Sequence, residues 1–491
     1  MPELGDAEQS VLIDVDPAVA GVTRPKRPVD KTFRGYDQGQ PMLLAPDVRD
    51  WVPAGDPARW VDDLVEHGLD LTAFYDDYTE VRGAPPYDPR LMLKVLIYGY
   101  SHGITSSREL ERRCQHDVAF MFLTAQQAPD FVVISRFRRR HLTAFTALFT
   151  QVLSLCAQAG LVSLGRVALD GSKIRASASR HRAMSYDRMV RAETELAAEV
   201  EALLADAEQT DTAEDAEYGD RRGDELPAEL ARREGRLAAI RKARADLEAE
   251  HATKAGVKAE QGAAKRGADP AEQAAAGEQA AEQSVVPAKA QRSFTDPESR
   301  IMKTSDGSFH YCYSAQTIVD EDSQIILSTA LVASGADCPE LPGALRDLTE
   351  SLSAAGIDGL PQVLLADAGY FSEDNVTACT TAGIDPLIAT GRQKHGEAPP
   401  AAPRGRIPKG LTPKQRMTRK LRTKRGTADY ARRKAIVEPV FGQMKTAQNA
   451  GQLRLRGLAN VQGEWNLQAL CHNARKLRLS GFHWVPIAEF G

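Results

Sequence analysis

Three carboxylates stand in settings that constrain what they can do. Asp170 closes the apolar run Arg166-Val167-Ala168-Leu169 and is followed by Gly171-Ser172-Lys173. Asp367 closes Val363-Leu364-Leu365-Ala366 and is followed by Ala368-Gly369-Tyr370-Phe371. An acid at the carboxyl end of a buried strand, with small residues beside it, is a rigid oxygen ligand that other backbone can approach closely. Magnesium prefers such hard oxygens, keeps several waters, and is usually held by one or two carboxylates plus substrate phosphates. Neighbouring strands lie about 4.8 Å apart, so two such acids can share an ion. A pair of ions about 3.5–4 Å apart can clamp the attacking and leaving oxygens of an in-line phosphoryl displacement. The candidate third acid is Glu438, in the stretch from Tyr430 to Lys445. There Val437, Val440, Phe441 and Met444 form one apolar face, and Glu438 shares the other side with Arg433, Lys434 and Lys445, the last lying two helical turns further on. A single Asp or Glu is ordinarily a surface charge or a structural pair. What carries weight is the three in order, on strand, strand and basic helix.

The elements that must position these acids can be read from the pattern. Besides the two acid-bearing runs, Phe309 to Val332 reads as a β-hairpin turning at Asp320-Glu321-Asp322-Ser323, and Pro386 to Thr390 as another short strand. Helical stretches lie between them, which predicts a mixed α/β sheet with helices packed on it. Residues 1–45 lack periodicity and read as a mobile arm. From about Asp47 to Leu155 the pattern is helical: Asp88-Pro89 is an N-cap followed by proline at the first helical position, and Gly103 ends that helix. Ser106, Ser107 and Arg108 open a second short helix, and Arg136, Arg138, Arg139 and Arg140 lie in a later one. This group is compatible with a DNA-reading helix-turn-helix unit and equally with an ordinary bundle whose arginines face solvent.

Residues 183–292 read as an insertion. Two apolar stripes, Met189 to Ala207 and Leu226 to Leu247, predict an antiparallel helical hairpin. The Ala/Gln/Glu/Lys/Gly-rich segment 251–291 has few large apolar side chains and predicts a flexible linker. The acids Asp211, Glu214, Asp215, Asp220 and Asp224 read as a solvated loop in preference to a metal site.

Composition limits the remaining classes. The 491 residues are 42% hydrophobic and 26% charged, a globular balance that excludes wholesale disorder. No apolar run approaches the roughly 20 residues of a membrane helix, and the acidic start MPELGDAEQSVLIDVD is unlike a secretory signal, so a cytoplasmic protein is expected. The six cysteines are scattered with no CxxC pair, which argues against a disulfide framework or zinc ribbon. The net charge of −5 conceals residues 404–456, which hold sixteen Lys/Arg against Asp429 and Glu438, an electrostatic footprint for a polyanion.

The motifs Asp170-Gly-Ser-Lys, Asp367-Ala-Gly-Tyr-Phe and Glu438-Pro-Val-Phe-Gly-Gln-Met-Lys445 together resemble the acid triad of bacterial insertion-sequence transposases of the DDE type. Flanking text, SKIRASASRHRAMSYDRM, GDELPAEL and FTDPESRIMKTSDGSFHYCYSAQTIVDED, is similar to the branch called insertion-sequence family eleven-eighty-two. The resemblance covers about residues 40–480. It implies a helical DNA-binding domain over 46–160 and a ribonuclease-H-like mixed sheet with flanking helices over 161–182 and 293–480, interrupted by the insertion. It also implies Asp170, Asp367 and Glu438 as catalytic and metal-binding acids holding two Mg²⁺, with Mn²⁺ able to substitute. Lys445, with Arg433 or Lys434, would contact phosphates. The implied partners are double-stranded DNA, as terminal inverted repeats and target, and further copies of the chain assembled on it. The implied setting is the bacterial cytoplasm, on the nucleoid during activity.

Two departures from the family pattern stand out. The related tyrosine-arginine-glutamate-lysine signature places an arginine four positions before the glutamate, where this chain has Lys434 with Arg433 adjacent. Some relatives carry a cysteine cluster before the glutamate; GRQKHGEAPPAAPRGR has none, so no zinc is expected. Two other functions compete with transposition: a metal-dependent nuclease without strand transfer, and a DNA-binding derivative that has lost catalysis, against which the three intact acids argue.

Overall fold

A computed structural model of the chain describes residues 47–79, 85–178, 183–218, 228–391 and 401–483. The arm expected over 1–45 lies outside them.

The helical N-terminal segment starts from capped helices. Asp56 caps α1 (Pro57–Asp63) through the Ala58 amide, and Asp88 caps α2 (Pro89–Ser101) through the Arg90 amide, each with proline at the start. Asp and Asn are favoured there because the carboxylate or amide oxygen accepts an otherwise orphaned N–H, while proline lacks the N–H that would be orphaned. The helices α3 (Ser107–His116), α4 (Val118–Leu123), α5 (Phe131–Arg140) and α6 (Leu142–Gln158) follow.

The sheet is built around β1 (Arg166–Arg175). Between β1 and its partners lie the short β2 (Ala183–Ser185) and β3 (Gln291–Ser293), then β4 (Arg300–Lys303), β5 (Phe309–Asp320), β6 (Ile326–Val332), β7 (Val363–Ala366) and β8 (Asp385–Ile388). Strand β5 runs antiparallel to β1, with β4 and β6 on its far edge; β7 and β8 run parallel to β1 on the other side. The sheet is mixed, as the pattern predicts, and its parallel strands are buried over Val167–Leu169 and Val363–Ala366, as strands covered on both faces must be. The expected hairpin is β5–β6, and the stretches between strands form α10 (Leu341–Ala354) and α11 (Glu373–Thr381), numbered after the three insertion helices below. The basic stretch supplies α12 (Pro413–Leu421) and α13 (Lys424–Thr446), and the last described helix is α14 (Leu458–Leu479).

Helix α14 is buried nearly all round, the signature of a helix inside a core. It packs on α6, α2 and β6. At its crossing with α6 a Cβ on Gly463 would lie 2.7–3.0 Å from Leu142, so only glycine lets the two backbones approach this closely. Its polar groups are matched to the sheet: Asn473 spans the Ile326 amide and carbonyl, and Trp465 donates to Thr329 at 2.7 Å. The helical segment and the sheet therefore share one continuous hydrophobic core. The limit expected near residue 160 is a change of secondary structure, with no gap in packing.

The insertion differs from its expectation. Its first part is the expected helical pair, α7 (Tyr186–Tyr218) and α8 (Ala228–Lys265). The segment expected to be a flexible linker is ordered: α8 continues through 251–265, and α9 (Pro270–Glu282) folds back along it. The expectation looked for large apolar side chains, whereas α8 and α9 meet through small ones. A Cβ on Gly256 would stand 3.1 Å from the Gly277 carbonyl, and the Glu260 side chain lies over Gly277. The start of α9 was legible as a capping box: Asp269 accepts from Ala271 and Glu272 while the Glu272 side chain returns to the Asp269 amide. Among the acids read as a loop, Asp211, Glu214 and Asp215 fall within α7, and Asp220 and Asp224 lie outside the described residues.

The insertion joins the sheet through the β2–β3 ribbon and through Glu250, which accepts hydrogen bonds from Arg292 and Arg300. It has its own small core of Met189, Leu196, Val200, Leu237, Ile240, Ala243, Leu247 and Val286. No described helix is long and apolar enough to cross a membrane. Replacing residues 186–290 with a short Gly/Ser bridge is accordingly expected to leave the β1–β5–β7 sheet folded, with amide-exchange protection retained in those strands. Loss of that protection would show that the main core depends on the insertion.

Candidate active site

The register of the parallel strands decides where the first two acids go. Pairing between β1 and β7 runs from Arg166–Val363 to Leu169–Ala366, so the next residue on each strand is Asp170 and Asp367. The two acids follow corresponding positions on neighbouring strands, about 4.8 Å apart along the hydrogen-bonding direction. Each is fixed by its own backbone. The Asp170 Oδ1 accepts from the Gly171 amide at 2.9 Å, and the Asp367 Oδ1 accepts from the Gly369 amide at 2.8 Å at the start of a single 3₁₀ turn. Burial pushes the Asp170 carboxyl above the usual carboxylate range, the negative charges of Asp367 and Asp337 push the same way, and Arg433 and the Gly171 amide oppose them.

Helix α13 lies across this end of the sheet. Thr423 caps it through the Gly426 amide, and Ile436, Val437, Val440, Phe441 and Met444 are buried. Its basic residues bracket Asp170. The Arg433 Nη1 is 3.4 Å from the Asp170 Oδ2, and the Lys445 Nζ donates to Ser172 Oγ at 2.6 Å. Burial lowers the Lys445 pKa, with Cys312 and Asp170 opposing. Of the adjacent pair it is Arg433, 11% exposed, that reaches the aspartate, while Lys434 is exposed. The helix contains Pro439, which cannot donate to the Ala435 carbonyl. Gln324, at the β5–β6 turn, donates to that carbonyl at 3.0 Å and so supplies the missing donor.

Glu438 does not join the other two acids in this arrangement. Its side chain is exposed on α13, and among the described residues it has no hydrogen-bond or ion-pair partner. Asp337, on the loop after β6, is instead the further carboxylate whose charge Asp170 feels. The sequence reading missed it because it belongs to no strand end and no basic helix; only the packing of that loop against Gly171 and Gly369 reveals it.

Among the described residues no three His, Cys, Asp or Glu side chains can hold a metal ion on their own. The donor set nevertheless fits a hard divalent ion. Two adjacent carboxylates leave excess negative charge, the Arg433 Nη1 beside them is buried without a hydrogen bond, and remaining coordination positions can come from water and a substrate phosphate.

The helical segment corrects part of the DNA-contact expectation. Arg138 is 4% exposed and donates to the Tyr100 hydroxyl at 2.6 Å, the Thr105 carbonyl at 3.0 Å and Ser107 Oγ at 3.3 Å, with the buried carboxylate of Glu464 nearby. Arg138 is thus turned into the core and is not offered to DNA, while Ser107 is half-buried and accepts from it. The reason was legible: Arg138 lies four residues after the buried Ile134, on the inward face of α5. Arg140 is tied to Asp77 and lies 4.4 Å from the centre of the Tyr78 ring, and Arg108 lies 4.8 Å over Phe131. Ser106, Arg136 and Arg139 are exposed. In the basic stretch, Lys414, Arg416, Arg422, Lys424 and Arg425 are exposed or nearly so.

With this geometry in place, comparison with known families gives two matches. Residues 46–140 match the family described as Transposase domain (DUF772), and residues 282–474 match the family described as Transposase DDE domain. No curated protein and no solved structure matches the chain.

The buried arginine yields a test of its role. Arg138→Ala removes the stronger of Glu464's two cationic neighbours, Arg454 being the other, and orphans the Tyr100 and Thr105 partners, so it is expected to cost about 3 kcal/mol or more of stability in denaturant melts. The double substitution of Arg136 and Arg139 should leave stability within about 0.5 kcal/mol. Equal stability for Arg138→Ala would contradict the structural role.

Proposed function

This chain belongs to the DDE-type insertion-sequence transposases, enzymes of DNA phosphoryl transfer, and from that premise we propose that it binds the terminal inverted repeats of its element, cleaves DNA at those ends and joins the freed 3′ hydroxyls to target DNA. The observation that carries this reading is that Asp170, midway along β1, and Asp367, directly after β7, each follow the last residue paired between these two adjacent parallel strands. The strand order, with β5 and β6 antiparallel on one side of β1 and β7 and β8 parallel on the other, supports a ribonuclease-H-like core. The finer branch, insertion-sequence family eleven-eighty-two, rests on the sequence blocks alone.

In this reading Asp170 and Asp367 hold divalent metal, two Mg²⁺ with Mn²⁺ as substitute, and the bound ions lower the barrier to attack on phosphorus by an activated water or 3′ hydroxyl. The chain's own residues do the rest. Arg433 and Lys445 bring positive charge to the mouth of the site, where the scissile phosphate must sit against two carboxylates. Glu438 is the third acid, drawn in when α13 closes on bound DNA, and Lys434 on the same helix meets the phosphate backbone. Ser106, Arg108, Arg136 and Arg139 and the basic surface of 404–456 position the duplex, since phosphate contacts fix register while base contacts specify sequence. Pairing of two ends calls for a homo-oligomer assembled on DNA.

The test uses labelled duplexes bearing the element's own ends. Asp170→Asn, Asp367→Asn and Glu438→Gln are each expected to lower cleavage by more than the roughly 100-fold that loss of an outer-shell partner costs, with end binding retained. Pre-cleaved ends should be joined to plasmid DNA by the parent chain; cleavage without joining would make the protein a nuclease. Removing Arg136 and Arg139 together should weaken end binding and lower the log–log salt slope by roughly one unit for each phosphate left without its arginine. An unchanged slope would move end recognition away from α5.

A further inference from the structure

Four residues of the two aspartate motifs, Gly171, Lys173, Gly369 and Tyr370, have no part in the chemistry above, and all four meet one side chain or its immediate partner. A Cβ on Gly171 would lie 2.8 Å from Asp337 Oδ1, and a Cβ on Gly369 would lie 3.2 Å from Asp337 Oδ2. The Asp337 carboxylate therefore fills the space that side chains would take at the residue after Asp170 and the second residue after Asp367. The Lys173 Nζ stands 3.6 Å from Asp337 Oδ1 and donates to Ser314 Oγ at 2.9 Å. Gln316 Nε2 is 3.3 Å from the same oxygen, and Gln316 Oε1 accepts from the Tyr370 hydroxyl, which is wholly buried. Gln316 is the register partner of Gly171 on β5, so these linked interactions cross three strands, β5, β1 and the end of β7.

We infer that Asp337 is a positioning residue of the active site: it clamps the loop after β6 onto both aspartate motifs and so sets how Asp170 and Asp367 face a shared ion. A Cβ at 171 would crowd Asp337, Gln316 and Tyr370, and one at 369 would press on Asp367 and Asp337, so glycine at both positions lets the clamp sit this close. Lys173 offsets the charge of the clamp, and Tyr370 with Gln316 joins it to the backbone that carries Asp367. Asp337 acts through these neighbours; the ion is held by the two aspartates. This inference rests on the reading that Asp170 and Asp367 bind a divalent ion.

The experiment is a titration of Mn²⁺ into the full chain bound to an end-bearing duplex, with free Mn²⁺ followed by electron paramagnetic resonance and cleavage measured alongside. Asp337→Ala is expected to raise the half-saturating Mn²⁺ concentration roughly 10- to 100-fold, the range seen when outer-shell partners are lost, while duplex affinity and the metal-free melting temperature stay unchanged. Much of the lost cleavage should return at high Mn²⁺. Asp337→Asn, which can still accept from Gln316 but lacks the charge that holds Lys173, should fall between. Gly171→Ala leaves Asp337 in the chain but crowds its carboxylate, and should reproduce the shift. If Asp337→Ala fails to fold, Asp337→Asn and Gly171→Ala decide the matter. An Mn²⁺ dependence in folded variants matching that of the parent chain overturns the inference. Asp170→Asn and Asp367→Asn in the same titration separate the two levels. If they abolish Mn²⁺ binding while the Asp337 and Gly171 variants leave it intact, only the positioning role fails; if they too leave it intact, the two-aspartate ion site fails and the inference falls with it.

Discussion

Two carboxylates stand at the same level on adjacent parallel strands, and the surrounding side chains meet the cost of burying Asp170 beside a second acid. Burial is the largest force raising the Asp170 carboxyl, and the neighbouring charge of Asp367 adds to it. The strands cannot move apart, because Val167–Leu169 and Val363–Ala366 are buried within the sheet. The cost is met from above by α13, which brings the Arg433 guanidinium to 3.4 Å from Asp170 and leaves one of its nitrogens without a hydrogen bond. A divalent ion would supply the cation that the two carboxylates lack.

That arrangement requires α13 to be held accurately, and its support comes from distant parts of the chain. Pro439 frees the Ala435 carbonyl, and Gln324 at the β5–β6 turn occupies it. The same turn meets His472 and Lys476 of α14, the helix that also closes the core of the N-terminal helical segment. His472 is buried and its pKa falls to about 4, so it is neutral in the folded chain. A contact made by DNA on the helical segment and one made on α13 therefore act on a single packed body, through α14. That continuity suits the proposed reading, in which one assembly recognises an end and cuts it.

Much of this was legible in the sequence, for identifiable reasons. The two aspartates could be found because the buried parallel pairing is apolar throughout and an acid breaks each run where that pairing stops. The hairpin and the capped helices follow from turn and cap chemistry that acts over a few residues. What could not be read depends on contacts between distant elements. Arg433, one residue out of the familiar spacing, reaches Asp170 because of how α13 lies on the sheet, and Glu438 on the same helix is exposed without a partner among the described residues. Asp337 is in a loop whose only distinction is what it packs against. The ordered segment 251–282 was hidden because Ala and Gly can make a tight helix contact without any apolar stripe.

The central claim is that Asp170 and Asp367 share a divalent ion in the working complex. The most direct measurement is anomalous scattering from Mn²⁺ in crystals of the chain bound to a DNA end. The account predicts a peak within roughly 2.0–2.6 Å of oxygens from both aspartates, with a phosphate oxygen completing the coordination. Manganese bound elsewhere, with the carboxylates of Asp170 and Asp367 carrying no ion between them, would contradict it.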